Sequence, residues 1–171
     1  TITNEYDKAS RPVVRTYSDG TPQVELFYDG KGLGLPSPPQ FSRGALTKAI
    51  SSVSEDRFTS FDNHGRLLAS QQITDGQTYS FGYKYNLSGG LIEETYPSGR
   101  VVRNFLDSDG GLSVVTSKAA NGMVERLASD FDYTAAGGVR KMKLGNGLWE
   151  TTQLNERNQL SQVGLGTTQA N

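Results

Sequence analysis

Between Thr78 and Tyr85 the chain reads TYSFGYKY, and every second residue from Tyr79 onward is aromatic. Tyr79, Phe81, Tyr83 and Tyr85 fall on one face of an extended segment and small or polar residues on the other, the period of a half-buried strand. Other stretches are rich in β-branched and aromatic residues in the same way: VVRTY (13–17), VELFY (24–28), RLLASQQI (66–73), LIEETY (91–96), RVVRNFL (100–106), LSVVTS (112–117), VRKMKL (139–144) and LWETTQL (148–154). No stretch keeps a 3.6-residue period between caps. SRGALTKAISSVSEDR (42–57) is the one helix candidate, and Ile50, Val53 and Phe58 within it fit strand, turn, strand equally well. The pattern predicts an all-β fold of antiparallel hairpins.

The strands are punctuated at a regular interval. FDNHGRL begins at Phe61 and YNLSGGL at Tyr85; YDKASRP begins at Tyr6, LDSDGGL at Leu106, YTAAGGV at Tyr133 and LNERNQL at Leu154. A partial copy, YDGKG, begins at Tyr28. The steps between starts are 22, 33, 24, 21, 27 and 21 residues. The long step holds GLGLPSPPQFSRG, a Gly/Pro-rich insertion near 32–44. With Ala45 and Leu46 as the return point, that step is 12 residues over length, and 21 without the excess. A second turn signal lies between the starts, at SDGT, TDGQ, PSGR, AANGM and LGNGL, with glycines 20, 76, 99, 122 and 147. Gly accepts positive φ and Asx residues tolerate it. Each repeat is thus two strands with turns at alternating ends, a β-hairpin. Turns are expected at 7–11, 18–21, 62–66, 74–77, 86–90, 97–99, 107–111, 121–122, 134–138 and 146–147.

Composition narrows the function classes. The 171 residues are 35% hydrophobic with 20 Gly and a mean hydropathy of −0.52, polar enough for a thin sheet whose strands face water on one side. Seventeen basic and 18 acidic residues are scattered along the chain, with no basic stripe to track nucleic acid. No apolar run reaches the 18 or so residues that span a bilayer. There is no Cys for a disulfide or thiolate site. The absence of an initiating Met and of a signal peptide, and the tail GLGTTQAN, read as truncation at both termini.

The motif resembles the YD-repeat family, also known as Rhs repeats: an aromatic–Asp pair, two free residues, Gly-Arg-Leu and a later Pro-x-Gly turn. FDNHGRL (61–67) and YPSGR (96–100) match most closely. YDKASRP keeps Tyr6, Asp7 and Arg11 but has Ser10 in place of Gly, and LNERNQL has Leu154 for the aromatic and Asn158 for the Gly. The resemblance covers about residues 4 to 166. It implies one array of about seven hairpins over 1–171, paired edge to edge into a curved spiral strip, a segment of the hollow β-shell seen in insecticidal toxin complexes, polymorphic toxins and teneurins. The structural repeat positions it marks are Tyr6, Asp7, Arg11, Tyr28, Asp29, Phe61, Asp62, Gly65, Arg66, Tyr85, Gly89, Leu106, Gly110, Tyr133, Gly137 and Leu154. The aromatics are expected to contact the next hairpin, the Asp to bond its own turn, and the Arg to lie over an aromatic or reach a carboxylate of the next hairpin.

Candidate chemistry is sparse. His64, the single histidine, sits inside a turn with no orienting partner in sequence. GKGLG (30–34) lacks the Lys-Ser/Thr ending of a phosphate loop. Glu93 and Glu94 are adjacent on a strand and point to opposite faces. Asn86-Leu87-Ser88 is a glycosylation sequon in a turn. No Asp-Pro occurs, so the self-cleavage of some relatives is not expected. The expectation is therefore a non-enzymatic wall segment with no metal or cofactor, enclosing a polypeptide cargo within a larger secreted or cell-surface protein. The alternative is an extracellular module binding carbohydrate or a partner protein. Expected partners are the rest of the repeat shell, a polypeptide cargo and, through free edge strands, another copy.

Overall fold

In the computed structural model, residues 1–168 are described. They form fourteen strands and no helix. Strand order in the sheet follows chain order, and neighbouring strands pair antiparallel, as β1 with β2 and β13 with β14. The chain divides into two compact units, Thr1–Tyr83 and a second starting at Lys84.

The first unit holds β1 (Ile2–Tyr6), β2 (Pro12–Tyr17), β3 (Val24–Tyr28), β4 (Leu46–Ile50), β5 (Ser54–Phe61), β6 (Leu67–Thr74) and most of β7 (Gln77–Tyr85). The region 42–57, ambiguous in sequence, is strand, turn, strand: β4 and β5 pair with Lys48 opposite Arg57, and the Ser51 N–H donates to the Ser54 carbonyl. The turn expected at 18–21 extends to residue 23. Asp75 and Gly76 join β6 to β7 with φ of 50° and 74°, the two-residue hairpin geometry that requires positive φ at both central positions. The 32–44 insertion contains no strand, yet it is anchored. Leu33 is buried, and the fully buried Thr47 hydroxyl bonds the carbonyls of Phe27 or Lys31, at 3.2 and 3.1 Å.

The second unit holds β8 (Leu91–Thr95), β9 (Val101–Leu106), β10 (Leu112–Lys118), β11 (Val124–Tyr133), β12 (Val139–Leu144), β13 (Trp149–Leu154) and β14 (Leu160–Gly166). The loop expected at 121–122 runs from 119 to 123.

Few side chains lie in a core. Among the described residues the buried apolar ones are Leu33, Phe61, Ala128 and Trp149. The buried polar ones are small hydroxyls: Ser42, Thr47, Ser70, Ser117, Ser129 and Thr151. Apolar transfer from water therefore contributes less here than in a packed domain, and backbone pairing plus contacts between adjacent hairpins carry more of the stability.

Candidate functional site

The repeated feature is a five-residue turn, and its hydrogen bonds recur along the chain. In Asp7–Arg11 the Asp7 N–H donates to the Arg11 carbonyl and the Ser10 N–H donates back to the Asp7 carbonyl, at 2.9 and 3.0 Å. The same pair of bonds closes the turns that begin at Asp62, Asn86, Tyr96, Asp107, Thr134, Leu144 and Asn155. At the fourth place stand Ser10, Gly65, Gly89, Gly99, Gly110, Gly137, Gly147 and Asn158, every one at positive φ. That is why Gly recurs there: other L-residues meet a Cβ–carbonyl clash in this conformation.

The first residue locks the turn through its side chain. Asp7 Oδ1 accepts from the N–H groups of Ala9 and Arg11; Asp62 does so from His64 and Arg66, Asp107 from Asp109 and Gly111, and Asn155 from Arg157 and Gln159. The Asp29 N–H donates to the Ala45 carbonyl sixteen residues on, and Gly44 there has φ 81°. The insertion is thus closed by the bond that Asp7 makes with Arg11.

One element of the repeat was missed in the sequence, where only some copies mark it. Two residues after the turn a residue is bulged out of the ladder. Glu5 pairs with Val14 and Tyr6 with Pro12, so Val13 is skipped. Thr47, Leu68, Ser113, Arg140 and Ser161 are skipped in the same way. Where the bulged residue has a hydroxyl, it donates to the carbonyl two residues before the turn: Ser113 to Phe105 at 3.0 Å, Ser161 to Gln153 at 3.1 Å, and Thr47 to Phe27. A hydroxyl at this spacing is the signal that would have located the bulge.

Adjacent hairpins meet through the motif aromatics. The Tyr28 hydroxyl donates to the Pro12 carbonyl at 2.9 Å and its ring lies 4.3 Å from the Arg11 guanidinium carbon. The Tyr133 hydroxyl donates to the Leu112 carbonyl at 2.8 Å, and its ring would be 3.1 Å from any Cβ on Gly111. Leu106 stands equally close to Gly90. These three therefore contact the preceding hairpin, correcting the expectation of contact with the next one. The reason is geometric: the residue before a turn lies beside the last residue of the preceding turn at the same end of the sheet. Tyr6 is 60% exposed, Phe61 is buried, and Tyr85, Leu106, Tyr133 and Leu154 are half-buried. No atom of Leu154 comes within 4 Å of a Cβ placed on Gly138.

The charges are arranged as bridges. Arg11 bonds Asp7 within its own turn and makes a two-pronged contact with Asp29 of the next hairpin, at 3.2 and 2.9 Å. The Arg11 bonds, helped by the Gly44 N–H, hold the Asp29 carboxyl down at about 2, and the same pairing raises the guanidinium. Arg66 bonds Asp62 at 2.6 Å. Burial pushes the Asp62 carboxyl up, but the Arg66 bonds outweigh it and the net direction is down. Glu55 sits between Arg57 and Lys48, Glu93 between Lys84 and Arg103, and Asp132 between Arg140 and Lys141. All three carboxyls lie below their ordinary range because these cations bond them. Glu93 is thus held by two cations, while Glu94 accepts from the Tyr96 hydroxyl. His64 is exposed within its turn. Among the described residues no cluster of three or more His, Asp or Glu could hold a metal.

No protein-family model matches the chain, and no curated protein matches it significantly. Solved structures do. A crystal structure of TcdB2-TccC3-Cdc42 matches 96% of this chain at 16% identity, with a TM-score of 0.67. A Tc holotoxin pore of Photorhabdus luminescens carrying a TccC3 variant matches over 96% at 16% identity and 0.69. TcdB2-TccC3 without its hypervariable C-terminal region matches over 96% at 14% and 0.68. At these identities the likeness is one of fold. The chain spans about a tenth of each of those chains, 9% of the first two and 10% of the third.

Proposed function

We propose that this chain is a non-enzymatic structural segment of the YD-repeat type, part of the wall of a hollow β-shell that encloses a polypeptide cargo in a larger secreted or cell-surface protein. The observation that carries the reading is the turn ladder: eight turns closed by one hydrogen-bond scheme, with aromatic and Arg contacts joining successive hairpins. The likeness in fold to Tc toxin proteins over 96% of the chain supports it. So does the use of the polar side chains. Tyr28, Tyr83, Tyr96 and Tyr133 bond internal partners, and the bridged carboxylates are tied to cations. These groups serve the sheet.

Limited proteolysis of the native protein that contains this chain tests the reading. A segment inside the wall resists cleavage while the protein is folded and is cut once it is denatured, as expected here. Rapid native cleavage at internal turns, or saturable binding on a glycan array, would overturn it in favour of a binding module.

A further inference from the structure

We infer that Asn121 is a site of spontaneous modification: its side-chain amide condenses with the backbone nitrogen of Gly122, releases ammonia and leaves an aspartyl or isoaspartyl residue in the loop between β10 and β11. The reaction needs only hydroxide and water, so it is independent of what the wall encloses.

Asn-Gly occurs twice in the sequence, at 121–122 and at 146–147. Glycine has no Cβ to shield its nitrogen, so the asparagine side chain can close on it. Solvent access does not separate the two pairs, since all four residues are exposed. Bonding does. Asn146 Oδ1 accepts from the Leu148 N–H at 3.0 Å. The turn around it is closed from Leu144 to Leu148 at 2.8 Å and from Gly147 back to Leu144 at 2.9 Å. It is also pinned to β11, where the Leu127 carbonyl accepts from the Gly145 N–H at 2.8 Å. To bring the Asn146 side-chain carbon onto the Gly147 nitrogen, the side chain must leave Leu148 and the Gly147 N–H must leave Leu144.

Asn121 meets less resistance. Its side chain makes no hydrogen bond among the described residues. Within the loop 119–123 the Gly122 N–H donates to the Ala119 carbonyl at 3.1 Å, and opening that bond frees the nucleophile. The residues from Lys118 to Leu127 are all exposed.

The chemistry balances without an oxidant or a cofactor. Hydroxide takes the Gly122 N–H proton, the nitrogen attacks Cγ of Asn121, and the Cγ–Nδ2 bond breaks as ammonia leaves with a proton from water. The cyclic imide then takes up water. Opening at Cγ gives an aspartyl residue. Opening at the main-chain carbonyl carbon gives the isoaspartyl form, whose backbone runs through the former side chain. Either product adds a carboxylate to the loop. The isoaspartyl form also strains the neighbouring turn, because Ala120 sits against Gly99: a Cβ on Gly99 would lie 2.9 Å from the Ala120 Cβ.

The test is peptide mapping by mass spectrometry after incubation at mildly alkaline pH. The folded protein that contains this chain is compared with the same protein in urea, and both are digested in mild acid to halt the reaction. In the folded protein Asn121 is expected to convert at least about fivefold faster than Asn146, the factor that one extra hydrogen bond imposes. In urea both turns are lost and the two sites are expected to convert at similar rates. Asn146 converting as fast as Asn121 in the folded protein, Asn121 staying intact there, or the same disparity persisting in urea would each overturn the inference.

Discussion

Ser10 and Asn158 occupy the fourth turn place at φ 59° and 57°, where the other six turns of the same scheme carry Gly. Ser10→Gly relieves a left-handed conformation and is expected to raise stability by about 0.5–1 kcal/mol, after the entropy that Gly loses on folding. The converse change, Gly65→Ala, is expected to lower it by about 1–2 kcal/mol. A Cβ at Gly65 would meet nothing within 4 Å, so that loss would report backbone conformation alone. Urea titrations of the three proteins give both values. Asp29 sets a pH dependence. Its folded pKa of about 2 lies below the ordinary 3.8, so its contribution is complete above the unfolded value and is lost as pH falls toward 2. Asp7, Glu55, Glu93 and Asp132 are lowered too and act in the same direction. The urea midpoint is expected to hold from neutrality to about pH 5 and to fall between about pH 4 and 2. Asp29→Asn should flatten that fall. An unchanged slope in the variant would remove Asp29 from the account.

At the scale of the hairpin, burial ranks the motif positions. Phe61 is 8% exposed, and Phe61→Ala is expected to cost about 3–5 kcal/mol, the range for a core aromatic. Tyr85 is half-buried, so Tyr85→Ala should cost clearly less. Tyr133→Phe keeps the ring over Gly111 and deletes only the bond to Leu112, which is worth about 1 kcal/mol. Equal losses for Phe61→Ala and Tyr85→Ala would contradict this ranking. The insertion offers a sharper test. Deleting residues 32–43 leaves Asp29, Gly30, Lys31, Gly44 and Ala45, a five-residue turn whose closing bond already exists. The shortened chain is expected to keep its far-ultraviolet dichroism and to lose about 1.5–3 kcal/mol with the burial of Leu33. Loss of the sheet signal would show that the insertion organises β3 and β4. The hairpins themselves were legible because Asx or Gly marks most of the turns locally. The bulges were not: Val13, Thr47, Leu68, Ser113, Arg140 and Ser161 share no residue type, because a bulge follows from how the turn closes onto the ladder.

Across the molecule, stability is expected to behave as a sum over neighbouring hairpins, since each strand pairs only with those beside it in sequence. Hydrogen exchange on Phe61→Ala provides the measurement. Exchange should quicken in β5, β6 and the strands beside them, while β12 to β14 keep wild-type protection. A uniform loss of protection would mean one cooperative unit.

The sequence by itself determined what depends on near neighbours along the chain. Period-two alternation made strands, Asx-Gly spacing set the turns, and the self-similarity at 21 to 27 residues made the hairpin the unit. Strands β1, β4, β5, β11 and β14 were weaker in the text, because polar or irregular segments such as LSQVGLG are held by pairing with a neighbour and not by their own pattern. Only the tertiary structure decided which hairpin each aromatic touches, which carboxylate Arg11 bridges and which motif ring is buried. Those contacts join residues sixteen to twenty-one positions apart, as in Tyr28 to Pro12 and Tyr133 to Leu112, and their partners are set by strand register, a property of the assembled sheet.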